Sequence, residues 1–300
     1  MSEEKALNVG PSGIEVAYER FGDPKAPPVV LVMGGGGQLI NWPEDFCTEL
    51  VGHGVQVIRF DNRDSGRSTH FHDAPVPDLQ AALAGDASSA SYTLSDMAAD
   101  TVGLLDALEL DGAHLVGASL GGMIAQTVAI EHPDRVRSLT SMMSTTGDLG
   151  VGQPDFAVLA GVGSPPEDRQ GYIDWYVRTF RLIGSPGFPY DEAHAADVAG
   201  RAYDRGLDHL GLQRQAVATV ASGDRTARLR SLDVPALVIH GTADVMCDIS
   251  GGHATAAAIP GAELITVDGL GHSFPRGAWP EIIPPIAGLV HRAEAASSRT

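Results

Sequence analysis

The chain has 300 residues, 43% of them hydrophobic, which suffices for a full core; one α/β domain carrying an insertion is expected at this length. Its 38 acidic and 20 basic residues give a net charge of -18, which argues against nucleic acid and anionic membrane surfaces and favours a neutral or weakly polar small molecule. Cys47 and Cys247 are the two cysteines, too few for a disulfide framework and without metal-ligand spacing, so free thiols and no metal are predicted.

The start, Met1-Ser2-Glu3-Glu4-Lys5, is acidic and has no apolar segment, so no signal peptide is expected and the cytoplasm is the default location. No stretch approaches the roughly 18 apolar residues of a membrane span. Ala6 to Val9 and Ile14 to Arg20 read as a hairpin around Gly10-Pro11-Ser12-Gly13. Short, continuously apolar runs follow at Pro28 to Met33, Val55 to Phe60, Ala113 to Val116, Leu139 to Met143, Ala236 to His240 and Leu264 to Val267. Such runs predict strands buried on both faces of a parallel sheet. Between most of them lie helix-period stretches, the clearest being Ser95 to Leu108, with Met97, Val102, Leu104, Leu105 and Leu108 on one side. The alternation predicts a mostly parallel, eight-stranded sheet with helices on both faces.

From Ser144 to Arg230 the strand signal disappears, and Gly147 to Gly163 and Gly184 to Pro189 are rich in glycine and proline. A helical cap over residues 144–230 is expected, inserted into a core of residues 1–143 and 231–300. Tyr172, Trp175, Tyr176, Phe180, Tyr203 and Leu207 lie in its helix-like pieces; at least half are expected to form its own small core, and others to wall a pocket. The tail Ala293 to Thr300 reads as a frayed end.

The chemistry begins at Gly117-Ala118-Ser119-Leu120-Gly121, between a strand and a helix. A serine on so sharp a turn takes a strained backbone, and glycine at both flanks lets strand and helix approach. A serine hydroxyl is a weak nucleophile, so it needs a base in hydrogen-bond reach and an acid to orient that base. Asp244 follows the strand ending at His240, and His272 lies in the glycine-flanked loop Asp268 to Ser273 after the last strand. Asp248 is the rival acid and His240 the rival base. Met33 is followed by the run Gly34 to Gly37, where Gly35 is the expected backbone donor to an oxyanion; the N–H of Leu120 would be the second donor. Trp42, Met123 and Trp175 are the expected substrate-binding residues. In the loop Asp61 to Ser68, Asp61 and Arg63 are expected to tie loops together by charge-assisted hydrogen bonds.

With these motifs in order over nearly the whole length, the chain resembles the α/β-hydrolase fold family. Leu31 to Gly35, Asn41-Trp42-Pro43, Phe46, Val57 to Asp61 and Arg67-Ser68 look like the branch that includes aclacinomycin methylesterase. Many relatives carry histidine where Met33 stands, an exchange that spares a backbone donor. The resemblance implies Ser119 as nucleophile, Asp244 as orienting acid, His272 as general base, and no cofactor. The apolar pocket expected of Trp42, Met123 and the cap aromatics favours a small to medium hydrophobic ester or lactone, the branch adds a polyketide methyl ester to the candidates, and a monomer or homodimer is expected. Carbon-carbon bond hydrolysis, amide hydrolysis and cofactor-free perhydrolysis use the same triad, and a hydrolase scaffold can also hold a ligand without turnover.

Overall fold

A computed structural model describes residues 3–297. Among these residues eight strands form one sheet: β1 (Glu4–Val9), β2 (Ile14–Phe21), β3 (Pro28–Val32), β4 (Gln56–Phe60), β5 (Ala113–Ala118), β6 (Val136–Met142), β7 (Ala236–Gly241) and β8 (Glu263–Val267). Their spatial order is β1-β2-β4-β3-β5-β6-β7-β8. The β1–β2 and β2–β4 pairs are antiparallel and the rest parallel. After β3 the chain winds outward to β4, then returns to place β5 on the other side of β3. That reversal opens a crevice at the carboxyl ends of β3 and β5, where ligands bind in open α/β sheets. The glycine loop 34–37 leaves β3 there, and Ser119 leaves β5.

Successive residues of a strand face opposite sides of a sheet, and each side has its own core. Val30, Val32, Ile58, Phe60 and Leu115 meet Met97, Leu104, Leu105, Ile124 and Val128 from the helices Leu94–Ala107 and Leu120–Glu131. Val29, Leu31, Val57, Val116 and Ile239 meet Phe46 and Leu50 of Glu44–Val51 and Ile282, Ile286 and Leu289 of Trp279–Ser297 on the other side. The helix Leu94–Ala107 is the one predicted at Ser95 to Leu108, displaced by one residue so that Thr93 can close a capping box with Asp96.

Two expectations need correction. The run Leu264 to Val267 is not buried on both faces: β8 is an edge strand, and only Val267 is fully buried. The tail is not frayed as far as it can be described, because the last helix continues to Ser297. Ala293 is buried in it, and Glu294 accepts hydrogen bonds from Arg137 and shares one with His114. Residues 298–300 of that tail lie outside the described residues.

Between β6 and β7 the helices Phe156–Ala160, Arg169–Ile183, Glu192–Arg205, His209–Ser222 and Thr226–Leu229 replace strands. Tyr172, Ile173, Tyr176, Val198 and Ala199 form a separate small core, with Trp175, Phe180, Tyr203 and Leu207 packed on it. Buried charge pairs tie these helices to the loop after β4. Asp64 accepts two hydrogen bonds from the Arg214 guanidinium, both 2.8 Å, and one from the Tyr92 hydroxyl at 2.7 Å. Arg63 makes the same forked contact with Asp100 under the rings of Phe71 and Tyr92. Asp61 accepts from the Leu39 and Arg67 amides and from Arg205. Asp61 and Arg63 are thus bound to other loops by the contacts their charges suggest.

Burial alone would push the Asp64 carboxyl up, but its hydrogen bonds from Arg214, the Phe71 amide and Tyr92 outweigh that and hold it below the ordinary carboxylate range. Its stabilisation is therefore complete above the unfolded value of about 3.9 and is lost as pH falls through the lower folded value. Asp64 also has φ +62°, a conformation asparagine tolerates as well. Asp64→Asn accordingly removes the charge without new backbone strain, and should cost about 3 kcal/mol or more in denaturant unfolding by leaving Arg214 short of a partner. Cys47 and Cys247 are both free and buried. Burial pushes the Cys47 thiol up to about 12, and burial with the nearby Asp244 and Asp248 charges raises that of Cys247. A thiol-disulfide reagent at mildly alkaline pH should leave both unmodified in the native protein and titrate both after unfolding.

Candidate active site

Ser119 stands between β5 and the helix Leu120–Glu131 with φ +55° and ψ -121°, a backbone conformation that a non-glycine residue seldom takes. Its neighbours explain how the turn closes. A Cβ on Gly117 would lie 2.1 Å from the carbonyl oxygen of Gly121, and one on Gly121 would lie 2.0 Å from that of Val32. Both contacts are with backbone, so neither can yield. The Ser119 amide donates to Met142 (2.9 Å), and its carbonyl accepts from the Gly122 amide and from Ser144 Oγ. The bend is therefore held from β6 as well as from its own helix.

The serine hydroxyl lies 3.0 Å from Nε2 of His272. On the other side of the ring, Nδ1 is 2.8 Å from Oδ2 and 3.0 Å from Oδ1 of Asp244. A carboxylate cannot donate, so Nδ1 carries hydrogen and Nε2 presents its lone pair to the serine hydroxyl. The Asp244 side chain is wholly buried, and its Oδ1 also accepts from the amides of Met246 and Cys247, both at 2.9 Å. The His272 ring is 13% exposed, and its own amide donates to the Ile183 carbonyl at the end of the helix Arg169–Ile183. Ser119, Asp244 and His272, predicted from three separated loops, thus meet in one hydrogen-bonded chain.

The rivals sit elsewhere. His240 is buried behind Asp244, with Nε2 donating to the Cys247 carbonyl at 2.8 Å and Nδ1 without a partner among the described residues. Burial lowers its pKa, so the ring stays neutral. Asp248 accepts from the amides of Gln153 and Ser250 and joins two loops.

The glycine loop passes closest to the serine at Gly34, where an added Cβ would stand 3.1 Å from Ser119 Cβ. The loop is closed by a Gly37 to Gly34 hydrogen bond and turns through φ +65° at Gly36. Neither the Gly35 amide nor that of Leu120 has an acceptor among the described residues. Leu212 covers Gly35 and Gly36. From the same helix, His209–Ser222, Gln215 accepts from the Gly36 amide (2.8 Å) and donates to the Arg63 carbonyl and Ser65 Oγ. Gln215 and Leu212 escaped the sequence reading because no local pattern links them to a loop some 179 residues earlier.

The three expected substrate-binding residues do not behave alike. Trp42 is completely buried, stacked on Phe274 at 4.7 Å between centroids and tilted against Phe46, so it supports the loop after His272 instead of meeting a substrate. Trp175 packs on Tyr172 inside the insertion and donates to the Val162 carbonyl. Its place is the insertion's own core, which corrects the expectation of a pocket wall. Met123, one turn into the elbow helix, is partly buried against the core. Among the described residues no helix is long and apolar enough to cross a membrane.

Comparison with known proteins points the same way as the fold. The sequence is 29% identical to rhodomycin D methylesterase DnrP of Streptomyces peucetius, over 86% of this chain and 88% of that protein. It is 28% identical to a non-heme chloroperoxidase of Streptomyces lividans, over 91% and 94%. Among solved structures, the enol-lactonase of Burkholderia xenovorans LB400 superposes with a TM-score of 0.70 at 23% identity, covering 97% of this chain and all of that one, a likeness of fold. The similarity to a rhodomycin D methylesterase agrees with the branch suggested by the sequence motifs around β3 and β4. The profile of the alpha/beta hydrolase fold matches residues 27–275, and with its sheet order and strand-to-helix elbow the chain belongs to that family.

Proposed function

We propose that the protein is a serine carboxylic ester hydrolase acting on a small to medium hydrophobic ester, with the methyl ester of an aromatic polyketide as the first candidate. The observation that carries this reading is the unbroken chain from Ser119 Oγ through the His272 ring to the buried Asp244 carboxylate. In this reading His272 Nε2 takes the hydroxyl proton as Ser119 Oγ attacks the ester carbonyl. The positive charge that forms on the ring is balanced by Asp244, which stays ionised. The amides of Gly35 and Leu120 receive the oxyanion, and each such donor contributes on the order of a hundred- to a thousand-fold in rate. Collapse expels the alcohol with the proton from His272. Water, activated by the same ring, then releases the acid from Ser119.

Similarity to a rhodomycin D methylesterase supports the methyl ester as the leaving side. Met123, partly exposed beside the elbow, is the remaining candidate among the expected pocket residues. A second reading, cofactor-free perhydrolysis on the same triad, draws on the similarity to a non-heme chloroperoxidase. Replacing water by hydrogen peroxide in the second step would yield a peracid from the same acyl-enzyme.

Ser119→Ala should lower kcat on an activated aryl ester by about 10⁴-fold or more with an unchanged circular dichroism spectrum. Asp244→Asn should lose on the order of 10³- to 10⁴-fold, chiefly in kcat, because the ring then settles in the wrong tautomer. Mass spectrometry of methyl, aryl and lactone substrates, with and without hydrogen peroxide, separates the two readings. Turnover that survives Ser119→Ala would remove the proposal.

A further inference from the structure

Away from Ser119, the side chains of His70, His72 and Asp208 bring three potential ligand atoms within 4.8 Å of one another. The two imidazoles lie on the same side of their loop, stacked at 5.4 Å and within 5° of parallel, while Phe71 between them turns the other way to pack on Tyr92. Asp208 comes from the insertion, where it caps the helix His209–Ser222 by accepting the Leu210 amide on Oδ1. Its Oδ2 faces both rings, 3.4 Å from His70 Nδ1 and 3.6 Å from His72 Nδ1.

The hydrogen bonding on the far side of His70 makes this contact informative. Its Nε2 is 3.0 Å from the Gly66 carbonyl, which can only accept, so Nε2 carries hydrogen, and a ring with no second hydrogen would aim its Nδ1 lone pair at a carboxylate oxygen. Two acceptors facing each other repel unless something positive stands between them. We propose that His70, His72 and Asp208 form a divalent transition-metal site of the Zn²⁺ type that joins the loop after β4 to the insertion.

The surroundings are those of a metal site. Zinc bonds of about 2.0–2.1 Å in a tetrahedron hold neighbouring ligand atoms roughly 3.4 Å apart, close to the two separations already present. The His72 ring is 73% exposed and free to close the remaining gap. Ligating histidines characteristically donate their other ring N–H to a carbonyl, as His70 does to Gly66, and ligating carboxylates are themselves hydrogen-bonded, as Asp208 is by Arg214 at 2.5 Å. Arg214 is shared between the Asp64 and Asp208 carboxylates, so one guanidinium faces two carboxylates and the pair keeps a net negative charge beside the rings. Two nitrogens and one oxygen suit zinc, cobalt(II) or nickel(II) better than calcium or magnesium, which prefer oxygen ligands.

The test uses the full chain after treatment with a chelator, titrated with Zn²⁺ by calorimetry and with Co²⁺ by visible absorption. One ion per chain is expected at a Kd of about 10 μM or tighter, with a rise in the thermal unfolding temperature. His72→Ala, at an exposed ring, should weaken binding roughly ten-fold or more and abolish the tetrahedral cobalt band, and His70→Ala should do the same. No binding up to about 1 mM Zn²⁺ would mean that a proton alone satisfies the His70 contact, and would overturn the site. Undiminished affinity in His72→Ala would overturn it equally, by locating the ion elsewhere.

Discussion

A single residue held in an unfavourable backbone conformation organises this molecule. Ser119 can keep φ +55° only because Gly117 and Gly121 let the strand end, the elbow helix and the carbonyl of Val32 approach more closely than any side chain would allow. Strain of this kind costs of order 1–3 kcal/mol and survives only where surrounding structure fixes it. Here that structure is the middle of the sheet, with β3 and β6 on either side of β5 and both cores closed over it. The hydroxyl is thereby lifted out of the turn toward His272, and the first amide of the helix is left without an acceptor. The strain and the opportunity for chemistry are the same feature.

A second set of interactions ties the insertion to that centre. Asp61, Asp64 and Asp100 are buried carboxylates, and each is answered by an arginine: Arg205 and Arg214 from the insertion, Arg63 from the loop itself. In a chain with 38 acidic and 20 basic residues, these arginines are placed inside, where each meets a buried carboxylate. Buried ion pairs of this sort give orientation more than net stability, because desolvation offsets much of their attraction. What they fix is the angle at which the helix His209–Ser222 meets the glycine loop and the loop after β4.

How far the sequence could be read depended on whether a feature was local. Five of the six apolar runs name β3 to β7 because a strand buried on both faces has no polar alternation to disguise it. The reading erred where position in the sheet, rather than composition, decides burial, as at Leu264 to Val267 on the edge. The last helix was hidden by Pro284 and Pro285 within it, and its end by an alanine-rich stretch in which Glu294 finds its partners, His114 and Arg137, on β5 and β6. Ser119, Asp244 and His272 were legible because each follows a strand in a short segment that also carries glycine. Aromatic residues carry no such punctuation. Trp42 and Trp175 could be named from composition, but whether an indole faces a ligand or a neighbour is settled by packing far away in sequence, and here both face neighbours.

The side-chain amide of Gln215 spans two parts of the molecule at once: its oxygen holds the Gly36 amide while its nitrogen holds the Arg63 carbonyl and Ser65. A helix that swings outward to admit a bulky molecule must therefore drag the glycine ribbon with it or let go. In either event the ribbon that lies against Ser119 changes shape together with the helix His209–Ser222.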